Sequence, residues 1–362
     1  MGKMSNRSII PFGPQHPVLP EPIHLDLVLE DEKVVEAIPS IGFVHRGLEK
    51  LVEKKDYQDY VFVAERICGI CSFMHGMGYC QAVEKVMYVK IPERAEYLRV
   101  LWAELSRIHS HILWLGLLAD AFGFESLFMQ CFRIREKVLN IFEMTTGGRV
   151  IFSVCKVGGV KKDIDSEKQK IILSILEEVE KELKEIEVVF FEDSSVKHRL
   201  VGVGVLSKEE AYELGCVGPM GRASGIDYDA RKLGYSIYDN LEFNTIIDTN
   251  GDSYSRCVVR FKEIFQSIDL IRQVLNKMPE GEISVKVTGN PSGEYFARLE
   301  QPRGEVIYHV KGNGTKFLDR MRVRTPTFAN MPALFKILQG CDLADVPILI
   351  LTIDPCISCT ER

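Results

Sequence analysis

The sequence predicts a mainly α protein with smaller β parts, an α+β chain with a helical-bundle core, an N-terminal β-hairpin and late strands. Three observations carry this prediction. Long segments with apolar residues at three- and four-residue steps run through the middle of the chain. A short alternating segment near the start reverses at a charged turn. Strand-like segments return only in the last quarter. At 362 residues, with 46% apolar and 27% charged residues, the composition is that of a soluble globular protein, and the length holds one large domain over 1–362 or two ordinary ones.

Taken in order, residues 11–22 (PFGPQHPVLPEP) hold too many prolines for a helix or a central strand and predict an extended arm docked on the rest of the fold. Residues 24–30 then alternate, with Leu25, Leu27 and Leu29 on one face, and residues 33–37 follow the charged turn Glu30-Asp31-Glu32 as the second arm of a hairpin. Pro92 suits a first helical turn and opens a helix over 92–122, with Leu98, Leu101, Trp102, Leu105, Ile108, Ile112 and Leu115 as its apolar stripe. Gly116 interrupts it, which predicts either close packing against a neighbour or a helix boundary. Helices are also predicted over 125–145, over 166–192 with a stripe from Ile171 to Ile186, and over 254–278. Strands are predicted over 282–288, 293–299 and 304–311, ahead of the turn Gly312-Asn313-Gly314. That turn lacks the third glycine and the helix of a nucleotide fingerprint.

A net charge of −6 argues against nucleic-acid binding. Apolar runs such as Val346-Pro347-Ile348-Leu349-Ile350-Leu351 are too short to span a bilayer, and residues 1–7 are not followed by an apolar signal core. The expected location is therefore the cytoplasm, where the chain is free to dock on a membrane protein.

Ten cysteines occur. Six of them, Cys80, Cys131, Cys155, Cys216, Cys257 and Cys341, lie singly and read as reduced core residues. The other four form two C-x-x-C pairs, Cys68-Gly69-Ile70-Cys71 and Cys356-Ile357-Ser358-Cys359, which bracket almost the whole chain. Each pair can turn two thiolates onto one metal ion, and the two together make a four-sulfur site if the fold joins them. Sulfur-only ligation selects zinc, nickel, copper(I) or iron–sulfur. Structural zinc pairs usually lie a few tens of residues apart. This separation favours a buried functional metal over structural zinc or a redox disulfide, and all three readings remain open on spacing alone.

Arg66-Ile67-Cys68-Gly69-Ile70-Cys71, with His75 four residues on, and Asp354-Pro355-Cys356-Ile357-Ser358-Cys359 resemble the catalytic large subunit of a nickel–iron hydrogenase. The resemblance is closest to the membrane-associated, energy-converting kind, Ech-like or carbon-monoxide-linked. Arg46-Gly47-Leu48-Glu49, Arg107-Ile108-His109-Ser110-His111, Arg222-Ala223-Ser224-Gly225 and Pro302-Arg303-Gly304 extend it over nearly the full length. Gly13-Pro14-Gln15-His16-Pro17 and the run from Ser110 to Gly116 resemble the quinone-site subunit of respiratory complex I. That subunit shares ancestry with these hydrogenases but has lost the metal site, whereas this chain keeps all four thiols.

The resemblance implies roles for particular residues. Cys68 and Cys356 would be terminal nickel ligands, and Cys71 and Cys359 would bridge nickel to an iron carrying carbon monoxide and cyanide. Glu21 falls where the family has its proton-gating glutamate, and His75 would hydrogen-bond a bridging sulfur. Arg303 and Asp354 would be outer-sphere groups near the metals. Glu49 falls at the family's magnesium-site glutamate. Arg362 stands where soluble members have the partner histidine, and a guanidinium offers no lone pair to a metal. Glu49 is thus expected either to bind magnesium or to pair with Arg362.

The implied activity interconverts protons plus electrons and hydrogen, with ferredoxin as distal electron donor and coupled ion pumping. The implied partners are a small subunit carrying an iron–sulfur cluster and further subunits of the complex, including membrane subunits. The alternative is a non-catalytic coupling subunit like the complex I quinone-site protein.

Overall fold

The computed structural model of the protein describes residues 7–17 and 19–362. Val18 of the expected arm, and residues 1–6 of the amino-terminal stretch, lie outside them. The chain begins with a three-stranded antiparallel sheet in the order β1 (Arg7–Phe12), β2 (His24–Glu30), β3 (Lys33–Ser40). The predicted hairpin is β2–β3, with a bulge between Val28 and Leu29. The addition is β1, which pairs Ile10 with Leu27 and Phe12 with Leu25. It contains Pro11, and as an edge strand it tolerates a residue without an N–H donor. The arm is therefore part strand and part loop. Leu25, Leu27 and Leu29 point into the interior, as alternation requires.

Helices build the centre. In chain order they are α1 (Ser72–Val86), α2 (Glu93–Ala121), α3 (Glu125–Thr146), α4 (Ser166–Glu192) and α5 (Ser253–Lys277). The last four match the predicted helices within a residue or two. Asp165 caps α4 by accepting the Lys168 N–H, and Asp252 caps α5 by accepting that of Ser255. α1 was not predicted. It is buried on almost every side, so it has no polar face from which a helical period could be read.

A second antiparallel sheet follows, in the order β4 (Ser292–Gln301), β5 (Gly304–Asn313), β6 (Leu318–Arg324). The strand predicted over 282–288 does not form. Its partner is the short segment at Gly158–Val160, which accepts one hydrogen bond from Val285 and gives one to Ile283, so the ladder ends after an isolated bridge from Ser284 to Gly159. Helices α6 (Pro326–Leu338) and α7 (Val346–Thr352) and the single turn α8 (Ile357–Thr360) complete the chain. Among the described residues no helix is long and apolar enough to cross a membrane.

Two apolar cores result. The larger gathers the inner faces of α1–α5 and of the second sheet. The smaller lies under the first sheet, against α6 and α7. Ile357 belongs to the smaller core, while its neighbours Cys356 and Cys359 belong to the larger. The terminal segment thus lies along the seam between them.

Gly116 resolves to packing, because α2 continues through it. A Cβ there would meet the Phe132 ring at 3.0 Å and Cys131 at 3.2 Å on α3. Gly116→Leu is expected to overpack this crossing and to lower stability by about 1–3 kcal/mol, measured as the shift of the denaturant midpoint at unchanged slope. A midpoint equal to that of the unmodified chain would show that the crossing has slack.

Candidate metal centre

Two loops carry the cysteine pairs. The first follows a 3-10 turn (Glu65–Ile67); Cys68 is extended, and Cys71 sits at the N-cap of α1. The backbone N–H groups of Ile70 and Cys71 both point at Cys68 Sγ, at 3.3 and 3.4 Å. The second loop follows α7. Asp354 takes φ 55°, a left-handed conformation that aspartate tolerates better than most residues, and turns the chain into Pro355 and Cys356. Residues at the start of α6 anchor this loop. Thr327 Oγ1 accepts the Cys356 N–H at 3.1 Å, and Thr325 Oγ1 donates to the Cys359 carbonyl at 3.1 Å.

The two loops meet. Cys68 Sγ lies 3.3 Å from Cys356 Sγ, and Cys71 Sγ lies 3.6 Å from Cys359 Sγ. All four thiols are buried. Cys68, Cys356 and Cys359 form one compact metal-ligating group, and Cys71, His75 and Cys359 form another, sharing Cys359. Arg46 staples the loops together from outside. Its guanidinium donates to the carbonyls of Arg66 at 2.8 Å and Ile67 at 2.9 Å in the first loop, and of Ser358 at 2.9 Å in the second.

Charge is the difficulty in this site. Hydrogen bonds from Cys356, Cys359 and Cys71 hold the Cys68 thiol well below its usual range, while burial pushes Cys71 and Cys359 well above it. Burial thus opposes ionising all four sulfurs together. Ionising all four needs a compensating cation among them, which is the condition a metal ion meets. The sulfur donor set fits a soft or borderline metal.

Each expected outer residue can now be placed. Glu21 Oε1 lies 3.4 Å from Cys356 Sγ, and its Oε2 accepts the N–H groups of Ile357 and, at 2.8 Å, Ser358. Burial, and then the charge on Cys68, raise its carboxyl above the ordinary value. His75 reaches Cys359 Sγ with Nε2 at 3.3 Å, and burial holds it neutral, with a pKa of about 4. Arg303 Nη2 pairs with Asp354 Oδ1 at 2.9 Å, and its Nε donates to the Asp354 carbonyl at 2.8 Å. Burial alone would weaken that cation, but Asp354 and the thiols of Cys356, Cys68 and Cys71 keep it firmly charged. Arg303 Nη1 and Asp354 Oδ2 are buried with no hydrogen-bond partner among the described residues.

Glu49 stands apart from the thiols. Its Oε1 accepts from Arg362 Nε and from the Val323 N–H, both at 2.9 Å, and its Oε2 faces Arg322 at 3.6 Å. Two guanidinium groups flank the one carboxylate, so the pair with Arg362 forms, and among the described residues Glu49 joins no group of three side chains able to hold a metal. Arg362 also donates to the carbonyls of Cys359 and Thr360, at 3.2 and 3.0 Å.

Sequence reasoning noted Arg46 only as a motif residue and missed Thr325, Thr327, Tyr308 and Gln301. Arg46 acts on backbone carbonyls, and these leave no residue-type signature to find. Tyr308 Oη lies 2.5 Å from His75 Nδ1, and Gln301 Nε2 lies 3.4 Å from His75 Nε2.

Comparison with known proteins agrees with this arrangement. The family model for the nickel-dependent hydrogenase matches residues 46–120, which include the first cysteine pair. The model for the 49 kDa subunit of respiratory-chain NADH dehydrogenase matches 121–289 and 284–362. The chain is 39% identical to a carbon monoxide-induced hydrogenase of Rhodospirillum rubrum, covering 98% of this chain and 99% of that protein. It is 38% identical to the membrane-bound hydrogenase subunit alpha of Pyrococcus furiosus, covering 98% and 87%. A chain from the membrane-bound sulfane sulfur reductase, an archaeal respiratory membrane complex, superposes with a TM-score of 0.94 at 31% identity, covering 98% of both chains. Sequence motifs, buried thiols and full-length similarity converge: the chain belongs to the family of large subunits of membrane-bound, energy-converting nickel–iron hydrogenases, to which the 49 kDa subunit of respiratory NADH dehydrogenase is related.

Proposed function

We propose that the chain is the catalytic subunit of a membrane-bound hydrogenase complex that interconverts protons plus electrons and hydrogen at a nickel–iron centre. The observation that carries this reading is the convergence of Cys68, Cys71, Cys356 and Cys359 into one buried four-thiol cluster. The matching family of nickel-dependent hydrogenases supports nickel over zinc. Cys68 and Cys356 would be terminal nickel ligands; Cys71 and Cys359 would bridge to an iron with carbon monoxide and cyanide ligands. The unpartnered, buried Arg303 Nη1 suits an acceptor ligand such as cyanide. A thiolate-bound nickel–iron pair supplies the two-electron chemistry that splits or forms hydrogen.

The protein's residues do the rest. Glu21 exchanges a proton at Cys356 Sγ: its carboxyl is within reach, and burial favours the protonated form that can give one up. His75 orients Cys359. Arg303 offsets thiolate charge and is aimed by Asp354, whose left-handed turn places it beside the second loop. No further cluster-binding motif stands out in the chain, so electrons would arrive through an iron–sulfur small subunit, with ferredoxin as the distal donor. Ion pumping would fall to membrane subunits, with this chain peripheral on the cytoplasmic side.

The match of the 49 kDa subunit model to two-thirds of the chain favours a second reading, a non-catalytic coupling subunit. Element analysis of the anaerobically purified complex separates the readings. Nickel and iron together support catalysis, no metal supports coupling alone, and zinc alone supports a structural site.

Three outcomes are expected. Replacing any one of Cys68, Cys71, Cys356 or Cys359 by serine abolishes hydrogen turnover, because a hard hydroxyl is a poor substitute for a soft thiolate; wild-type turnover in any of the four variants would sink the four-thiolate assignment. Glu21→Gln keeps full metal content but loses hydrogen/deuterium exchange, since an amide keeps the shape and cannot relay a proton; full exchange would remove Glu21 from the proton route. Arg362→Ala strips the cation from a Glu49 side chain that is 16% exposed and frees two carbonyls of the second loop. It should cost about 1–3 kcal/mol of stability and lower nickel per chain after dialysis. Undiminished nickel retention would show that the pair does not hold the loop.

A further inference from the structure

We propose that Tyr308 is a positioning residue for the metal centre: its hydroxyl donates to His75 Nδ1 and thereby keeps the imidazole hydrogen on Nε2, aimed at Cys359 Sγ. The inference rests on the metal reading above and adds to it a residue that no motif marks.

The geometry is built from two elements. His75 lies on α1 and Tyr308 on β5, both fully buried, with Tyr308 Oη 2.5 Å from His75 Nδ1 and His75 Nε2 3.3 Å from Cys359 Sγ. The rings stand edge to face, 5.9 Å apart at 70°. Gly78, one turn along α1 from His75, makes room for this. A Cβ there would sit 2.8 Å from Tyr308 Cδ2 and 3.1 Å from Leu299 Cδ1.

A neutral imidazole has one N–H, so the chain from Tyr308 through His75 to Cys359 can run in only two directions. With a free thiol, Cys359 donates to Nε2, and Nδ1–H donates to the tyrosine oxygen. A metal-bound thiolate has no hydrogen to give. Nε2 must then be the donor, Nδ1 the acceptor, and Tyr308 the source of the first hydrogen bond. Gln301 also faces this nitrogen: its amide lies 3.4 Å from His75 Nε2, and with Oε1 turned toward the ring it shares the Nε2–H with Cys359 Sγ. The hydrogen bond would draw charge from the Cys359 thiolate, which would bridge the two metals, and Tyr308 sets its strength.

The test uses the intact complex, with nickel and iron measured first. Their absence from the wild-type complex would refute the metal reading and this inference with it. With both present, Tyr308→Phe is expected to keep the metals, lower hydrogen turnover about 10–100-fold, and move the infrared stretch of the iron-bound carbon monoxide to lower frequency, because the sulfur regains charge. A fluorotyrosine at position 308 keeps the hydroxyl and the ring volume but is a stronger donor, and should move the same band to higher frequency. If the phenylalanine variant fails to hold metal, the fluorotyrosine protein alone decides. A band that stays at the wild-type position in the fluorotyrosine protein, or moves the same way in both variants, overturns the assignment and leaves Tyr308 as packing only.

Discussion

Everything near the centre follows from one constraint: four sulfurs from opposite ends of the chain are held within contact of one another in a dry interior. Thiolates do not gather there spontaneously, since burial works against ionised sulfur. The backbone brings them together instead. Two N–H groups turn onto Cys68, two threonines at the start of α6, Thr325 at its N-cap and Thr327, hold the second loop, and Arg46 ties both loops by their carbonyls. The side chains chosen for chemistry carry little of the structural burden. The surrounding cations, Arg303 above all, favour negative charge in this space.

A second layer supports the first. Arg107 donates to the carbonyls of Glu300 and Gln301, immediately before the turn that presents Arg303. Behind it, Arg222 pairs with Glu263 and Glu300, each at 2.7 Å, and Arg231 pairs with Asp229 at 2.7 Å. Every one of these groups is fully buried. Ion pairs so deep add little net stability over apolar packing, yet removing one member strands the other. Their effect is to fix geometry. They join α2, α5 and β4 into a frame that cannot shift by a fraction of a turn without leaving a charge unpaired.

The long amphipathic helices were legible because each has a solvated side, and the two cysteine pairs were legible because their residue type and spacing state their chemistry. α1 was not, since a helix buried all round has no polar phase to read. The strand expected over 282–288 had the right alternation but too short a partner, and pairing is a property of two segments. At the site, the pairing of Glu49 with Arg362 could be read from the chemistry of guanidinium. The contributions of Arg46, Thr325 and Thr327 could not, because they act on backbone groups that every residue offers alike. Tyr308 was hidden for a related reason: its importance depends on a glycine on another element that makes room for its ring.

The separation of the two cysteine loops has a consequence for biosynthesis. Cys68 and Cys356 are 288 positions apart, so this contact is among the most non-local the chain makes, and contacts of that kind form late. While the ribosome is still making the second half, the first pair stands as a vicinal dithiol with no partner. It is open to oxidation and to stray metal ions, with Arg46 already in place and its Ser358 carbonyl partner missing. That pair stays without its partner until Cys356 and Cys359 emerge. Closure of the centre therefore waits on the second loop, and a chain arrested before it carries a reactive half-site in place of a dormant one.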